Sequence, residues 1–205
     1  MVIDAHAHVT APDSLWVFKA QILAHRGGHG RGGTGATDED IIQALNKPVF
    51  GGSSHLTQLK EAGTDMQVIS PRPYQMMTSE HPKLVAWFME ETNAIIARQV
   101  KLFPQTFVGV CAVPLTPGVS PKAVLPYLEK CVKEDGFVGL LLNPDPGECT
   151  GVETPPLGDR FCIRFMKRWS SSISRATSTP WVASPNGSPI PRISSTKKPF
   201  PSFRC

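Results

Sequence analysis

Residues 2–8, Val2-Ile3-Asp4-Ala5-His6-Ala7-His8, set an H-x-H pair at the end of a short apolar run. In an extended chain alternate side chains share a face, so the two imidazoles point the same way about 7 Å apart along the backbone, near enough to converge on one ion. Residues 2–6 read as a buried strand feeding the pair. Strand and pair together favour half of a metal site, with His6 and His8 as ligands, over an accidental polar pair.

Further along the chain, apolar stretches of strand length alternate with helical periodicity. Residues 13–23 predict a helix carrying Leu15, Phe18 and Ile22 at near-helical spacing. A loop follows in which six of the nine residues from Gly27 to Gly35 are glycine. It lacks the spacing of a phosphate-binding loop, so a lid or linker is expected. Thr37 with Asp40 three residues on predicts an N-cap for a helix over 38–45. A helix over 54–61 should end at Gly63, where a left-handed cap is easily adopted. Residues 66–70 predict a strand stopped by Pro71. Residues 81–103 predict a long helix with Leu84, Trp87, Phe88, Ile95, Ile96 and Val100 on its apolar face. A strand over 107–113, a helix over 121–132 and a strand over 137–142 complete the pattern. His25, His29, His55 and His81 are expected to be exposed or structural.

Four such strands separated by helices indicate β/α units and a parallel sheet. In a (β/α)₈ barrel the chemistry sits at the C-terminal ends of the strands, here His6-Ala7-His8, Ser70-Pro71-Arg72, Val113-Pro114 and Asn143-Pro144-Asp145. A whole barrel takes about 250 residues and four strands are half of one, leaving two unpaired edges and an uncovered interior. On periodicity alone a small doubly wound sheet is equally open.

Composition narrows the class. The chain has 205 residues, 40% hydrophobic and 19% charged, with no apolar run near the roughly 20 residues of a membrane span. A cytoplasmic protein without a membrane partner is expected. The five cysteines form no C-x-x-C pair; Cys111 and Cys131 lie in apolar patterns and read as packing residues. The overall charge of +4 suggests a nucleic-acid partner, but its distribution argues against one. Residues 1–161 carry 13 Lys/Arg against 17 Asp/Glu, a net of −4, whereas residues 162–205 hold 8 basic residues, ten serines, six prolines and no acid. Two domains of unlike character are expected, an ordered 1–161 and a basic, disordered Ser/Pro-rich 162–205.

The motifs of residues 1–161 resemble the amidohydrolase superfamily, in its branch of decarboxylases and hydratases. His6-Ala7-His8 is similar to the superfamily's opening metal motif. Asn93-Ala94-Ile95-Ile96-Ala97 followed by Leu102-Phe103-Pro104-Gln105-Thr106-Phe107-Val108-Gly109 resembles the branch signature N…A…P-x-x-F-x-G. Ile69-Ser70-Pro71-Arg72, Cys131-Val132 with Gly136-Phe137-Val138-Gly139, and Asn143-Pro144-Asp145-Pro146 through Pro155 to Phe161 resemble the 4-oxalomesaconate hydratases within that branch. The resemblance implies the N-terminal half of a metal-dependent (β/α)₈ TIM barrel. It also implies one divalent ion, usually zinc, held by the strand-one histidines, a histidine ending strand five and a late acidic residue. The last two have no counterpart here, since no histidine, aspartate or glutamate follows Phe161. A homo-oligomer in the full-length family is a further expectation.

A shift of reading frame would account for this end. With one base lost after the Phe161 codon and synonymous codons chosen freely, residues 162–179 re-read as His-Pro-Phe-Tyr-Glu-Ala-Leu-Val-Glu-Leu-Asp-Ile-Pro-Gly-Asn-Ile-His. That is an amphipathic helix, a turn and a strand ending in histidine, which the resemblance implies between strands four and five. The competing reading is a natural basic tail.

The chemistry implied is hydration of an unsaturated polycarboxylate like 4-oxalomesaconate, with the metal as Lewis acid and a side chain moving the proton. Arg72 at a strand end would grip a substrate carboxylate through its forked guanidinium, with Ser70 and Asn143 as rim hydrogen-bonding groups. The competing assignments are a surface arginine after a turn and backbone caps. A decarboxylase of an aromatic or muconate-type acid is the alternative within the fold. A non-catalytic fragment is the alternative outside it, and the chain as written is expected to show no measurable turnover.

Overall fold

The computed structural model describes residues 1–10, 35–48, 51–72 and 81–142, with Leu15, Val17, Glu153, Thr154, Asp159, Ile163, Met166, Lys167 and Ser170. The elements run β1 (Ile3–Val9), α1 (Asp38–Asn46), α2 (His55–Glu61), β2 (Met66–Pro71), α3 (Pro82–Leu102), β3 (Phe107–Ala112), a 3₁₀ turn (Pro121–Val124), α4 (Leu125–Lys133) and β4 (Gly139–Leu141). All three strand pairings are parallel and the sheet order is β1-β2-β3-β4. This order separates the two architectures that periodicity left open. A doubly wound sheet reverses direction at a switch point, so some consecutive strands are not neighbours. Here each crossover steps one place the same way, as in the arc of a barrel. The fold is a partial (β/α) barrel of four parallel strands with flanking helices.

Local signals place the elements as expected. The Thr37 hydroxyl accepts from the Asp40 amide at 3.1 Å while the Asp40 carboxylate accepts from the Thr37 amide at 2.8 Å, a reciprocal box that opens α1. The Thr37 amide, and then the Thr37 hydroxyl donating to Asp40 Oδ2 at 2.9 Å, hold the Asp40 carboxyl below its usual range. Ser54 caps α2, which stops at Gly63 with φ +68°.

Boundaries move at all four strands: β2 takes in Pro71, which pairs with Val9, and β3 ends at Ala112, one residue before Val113. β1 runs on through both histidines to Val9, because Ala7, His8 and Val9 pair with Ile69, Ser70 and Pro71. β4 starts late, at Gly139, because the Phe137 amide donates to the Cys131 carbonyl of α4 and leaves the ladder. The helix expected over 121–132 opens as the 3₁₀ turn and becomes α-helical at Leu125. Of the helix expected over 13–23, only Leu15 and Val17 are described, both helical. Most of the glycine-rich loop and nearly all of the basic tail lie outside the described residues.

The two faces of the sheet differ. Ile69, Phe107 and Cys111 point at the helices and are buried in one apolar cluster with Ile41, Leu59, Ile96, Leu128 and Cys131. The burial of Cys111 and Cys131 matches their reading as packing residues. Val68, Val108 and Val110 alternate with these positions, face the other way and are half-buried.

The glycine of the F-x-G signature has a packing role. A Cβ on Gly109 would stand 2.9 Å from Phe137 Cδ1 and 3.1 Å from Ile96 Cγ2. Its absence lets α3 and the approach to β4 press onto β3. The signature's asparagine is a clamp. Asn93 accepts from the Ala112 amide at 3.1 Å and donates to the Ala112 carbonyl and the Tyr127 hydroxyl, both at 2.8 Å. One buried side chain thus ties α3 to the end of β3 and to α4, and burial drives the Tyr127 phenol far above its usual pKa.

Candidate metal centre

Parallel strands put every C-terminal end on one rim, and the site is built there. The rim carries His8 and Val9 from β1, Ser70 to Arg72 from β2, Ala112 and Val113 from β3, and Leu141 from β4. The register of β1 against β2 shifts between Asp4 and Ala7. This irregularity has a consequence for side-chain direction. Asp4 pairs with Gln67 beside the helix layer, whereas His6 and His8 turn to the opposite, open face. Their rings lie 4.6 Å apart, centroid to centroid, at an interplanar angle of 82°.

Ser70 decides which nitrogen of His8 is offered. Its hydroxyl donates to the Ala7 carbonyl at 3.2 Å, which uses its one proton. Toward His8 Nδ1, 3.0 Å away, the Ser70 oxygen is therefore an acceptor and Nδ1 carries the hydrogen. In the neutral imidazole this leaves on Nε2 the lone pair a metal ligand needs. A support that holds a ligand's tautomer is usually worth 10–100-fold in metal affinity. Ser70→Ala is accordingly expected to weaken Zn²⁺ binding by roughly that factor in a competition titration. An unchanged dissociation constant would show that the hydroxyl does not set the tautomer.

Beneath the pair lies a support that the sequence reading missed. His55 Nε2 donates to Gln67 Oε1 at 2.8 Å, Gln67 Nε2 donates to Asp4 Oδ2 at 2.7 Å, and Asp4 Oδ1 accepts from the His6 amide at 3.1 Å. The Gln67 bond first, then the His6 amide, holds the Asp4 carboxyl below its usual range. The ionised Asp4 thereby fixes the backbone of His6. One signal could have found this relay: a glutamine inside the apolar run Met66-Gln67-Val68-Ile69 must find partners if buried, and it is 4% exposed.

The other expected residues divide. Arg72 is exposed at the end of β2, where its amide donates to the Val9 carbonyl at 3.1 Å and extends the ladder. Asn143 lies outside the described residues, as do His25 and His29. His55 and His81 are structural: the first belongs to the Gln67 relay, and the second accepts from the Lys83 amide at the start of α3. Two imidazoles on one face suit a borderline divalent cation such as Zn²⁺. They are half a coordination sphere: among the described residues no three His, Cys, Asp or Glu side chains gather closely enough to hold an ion. No helix among the described residues is long and apolar enough to cross a membrane.

Comparison with known proteins gives a consistent picture. Residues 3–163 match the family model described as Amidohydrolase. A 2-keto-4-carboxy-3-hexenedioate hydratase from Sphingobium sp. is 34% identical over 173 residues, which are 82% of this chain and 48% of the relative. The crystal structure of 4-oxalomesaconate hydratase from Rhodopseudomonas palustris superposes with a TM-score of 0.68 at 31% identity, over 84% of this chain and 50% of that one. A dihydroxybenzoic acid decarboxylase from Polaromonas sp., solved with bound manganese, shares the fold with a TM-score of 0.54 at 20% identity, over 83% of this chain and 46% of that one. The chain thus spans about half the length of the relatives it matches.

Proposed function

The chain belongs to the amidohydrolase family, and from that premise we propose that it is part of a metal-dependent lyase that hydrates an unsaturated polycarboxylate. The observation that carries the metal reading is the His6/His8 pair with the His8 tautomer held by Ser70. His6 and His8 would hold the cation, and Asp4 keeps the His6 backbone in place. A bound divalent ion there supplies Lewis acidity to a substrate oxygen. Zn²⁺ is our choice of ion; Mn²⁺, present in the Polaromonas decarboxylase, is the competitor.

Two relatives above 30% identity are hydratases of keto polycarboxylates, which supports a 4-oxalomesaconate-like substrate in aromatic-acid catabolism. The decarboxylase shows the fold alone. Arg72 sits on the rim beside β1, where its guanidinium would take a substrate carboxylate in two parallel hydrogen bonds. Asn143, next after Leu142, is a second candidate for that rim.

Residues 162–205 are proposed to be read out of frame, and the 205-residue chain in that frame is expected to show no turnover. The metal reading is tested by equilibrium dialysis of Zn²⁺ and Mn²⁺ against the chain and its His6→Ala and His8→Ala variants. Retained affinity in both variants would remove the pair from the site. The substrate reading is tested on the frame-restored enzyme by following loss of the conjugated double bond of 4-oxalomesaconate. Release of CO₂ from an aromatic acid, with no hydration, would replace it by the decarboxylase reading.

A further inference from the structure

The helix side of the sheet holds two thiols that the candidate metal centre does not use. Cys111 points from β3 toward the helices, Cys131 belongs to the buried side of α4, and the two sulfurs are in hydrogen-bonding contact. Both residues are buried, 0% and 1% exposed, in one apolar cluster with Ile96, Leu128 and Phe137. Packing at such positions asks for small apolar side chains. Two adjacent thiols add a chemistry that alanine or valine would lack.

The contact is one link in a directed chain. Asn93 Nδ2 donates to the Tyr127 hydroxyl at 2.8 Å, the Tyr127 hydroxyl donates to Cys131, and Cys111 Sγ donates to the Gly139 carbonyl at 3.5 Å. Each thiol has one proton. While Cys111 directs its proton to Gly139, Cys131 donates to the Cys111 sulfur and the chain is complete. When Cys131 ionises, Cys111 turns its proton to the Cys131 sulfur instead. That bond, against the opposing effect of burial and with help from Lys130 and the Tyr127 hydroxyl, draws the Cys131 thiol below its usual range. The same bond, joined by burial, pushes the Cys111 thiol well above it. The two sulfurs are therefore unlike, with Cys131 the nucleophile and Cys111 the resolving thiol.

We propose that Cys111 and Cys131 form a redox-sensitive pair, which hydrogen peroxide converts reversibly to a disulfide bonding α4 to the end of β3. In the first step the Cys131 sulfur attacks one peroxide oxygen, the O–O bond breaks, and a sulfenic acid and one water form. In the second the Cys111 sulfur attacks Cys131, the S–O bond breaks, and the hydroxyl leaves as water with the Cys111 proton. Two thiols and one peroxide thus give one disulfide and two waters, the sulfurs losing the two electrons that the peroxide gains. A thiol reductant reverses the bond by exchange.

Burial slows the first step and directs the second. Among the described residues the sulfenic acid has one thiol in reach, so closure outruns further oxidation. Cys149, Cys162 and Cys205 lie outside the described residues. The bond forms beside Ala112, whose amide and carbonyl are held by Asn93, directly beneath the rim that carries the candidate metal centre. It stands independently of the metal reading.

The test treats the reduced, folded 205-residue chain with hydrogen peroxide, blocks the remaining thiols with iodoacetamide and maps tryptic peptides by mass spectrometry. The peptides of Cys111 and Cys131 should be joined, and this pair should exceed any pairing with Cys149, Cys162 or Cys205 by roughly tenfold or more, because held groups react as though highly concentrated. Dithiothreitol should remove the link, and in urea, where no fold holds the sulfurs together, the preference should be lost. Dimedone, a trap for sulfenic acids, should label Cys131 in the Cys111→Ala variant and leave Cys111 unlabelled in Cys131→Ala, both checked for the parent's far-ultraviolet circular dichroism. Mapping of the unsubstituted chain decides the disulfide even where an alanine variant fails to fold. Recovery of Cys111 and Cys131 as free thiols, or as sulfinic and sulfonic acids without a link, overturns the proposal. So does a mixture of pairings that is the same in buffer and in urea. Dimedone on Cys111 and not on Cys131 overturns the assigned order of the two steps.

Discussion

Restoring one base after the Phe161 codon is expected to turn a chain without turnover into an enzyme holding one divalent ion per chain. The described residues form four strands in sequential order, and an eight-stranded barrel needs four more in the same sense. Re-read one base out of register with synonymous codons chosen freely, residues 162–179 would supply an amphipathic helix, a turn and the first of those four strands, with a histidine at its end. That histidine adds the third donor that no described residue provides. The rate should rise from background into the ordinary range of about 1–10³ per second once the site is complete. Metal content should rise to one ion per chain, because binding and folding of a closed site are coupled. The measurements are elemental analysis and hydration kinetics on both chains side by side. Equal metal content in the two, or an independent DNA read that preserves the present frame, would return residues 162–205 to the status of a natural tail.

Loss of the Asn93 clamp is expected to have the largest effect on stability. Asn93→Leu keeps the volume nearly constant and removes both bonds to the backbone of Ala112 and the bond to the Tyr127 hydroxyl. Asn93 is 3% exposed and Ala112 is fully buried, so water cannot replace the lost partners. Each buried group left unsatisfied costs about 1–3 kcal/mol, and the three act on one network, so a total of about 3–5 kcal/mol is expected. Against the usual 5–15 kcal/mol for a domain that is about a fifth of the stability or more. Urea denaturation would show a lower midpoint with an unchanged slope. A loss below about 1 kcal/mol would mean that the sheet end relaxes to water and that Asn93 is not a structural clamp.

The asparagine illustrates how far the sequence carries. It was visible as part of a signature, and its chemistry was not, because its three partners lie 19 and 34 residues away. Ser70 teaches the same lesson. Its place at a strand end suggested a substrate contact, and the fold brings it from 62 residues away onto His8 Nδ1. The Asp4–Gln67–His55 relay likewise spans 63 and 12 residues and left only a lone buried glutamine as its mark.

What the sequence determined by itself is local and periodic. The strand period of two put His6 and His8 on one face, the helical period set the buried side of α3, and the Thr37–Asp40 spacing set the start of α1. These follow from geometry repeated within a few residues, which any reading of spacing recovers. The tertiary structure alone decided that the sheet runs β1-β2-β3-β4 as an arc, that its inner face and both edges stand open among the described residues, and that Ser70 lies in hydrogen-bonding reach of His8 Nδ1. Strand order and side-chain partnership depend on which distant segments share a hydrogen-bond ladder, and that is settled by packing the helices onto one face, a cooperative outcome that no local spacing encodes.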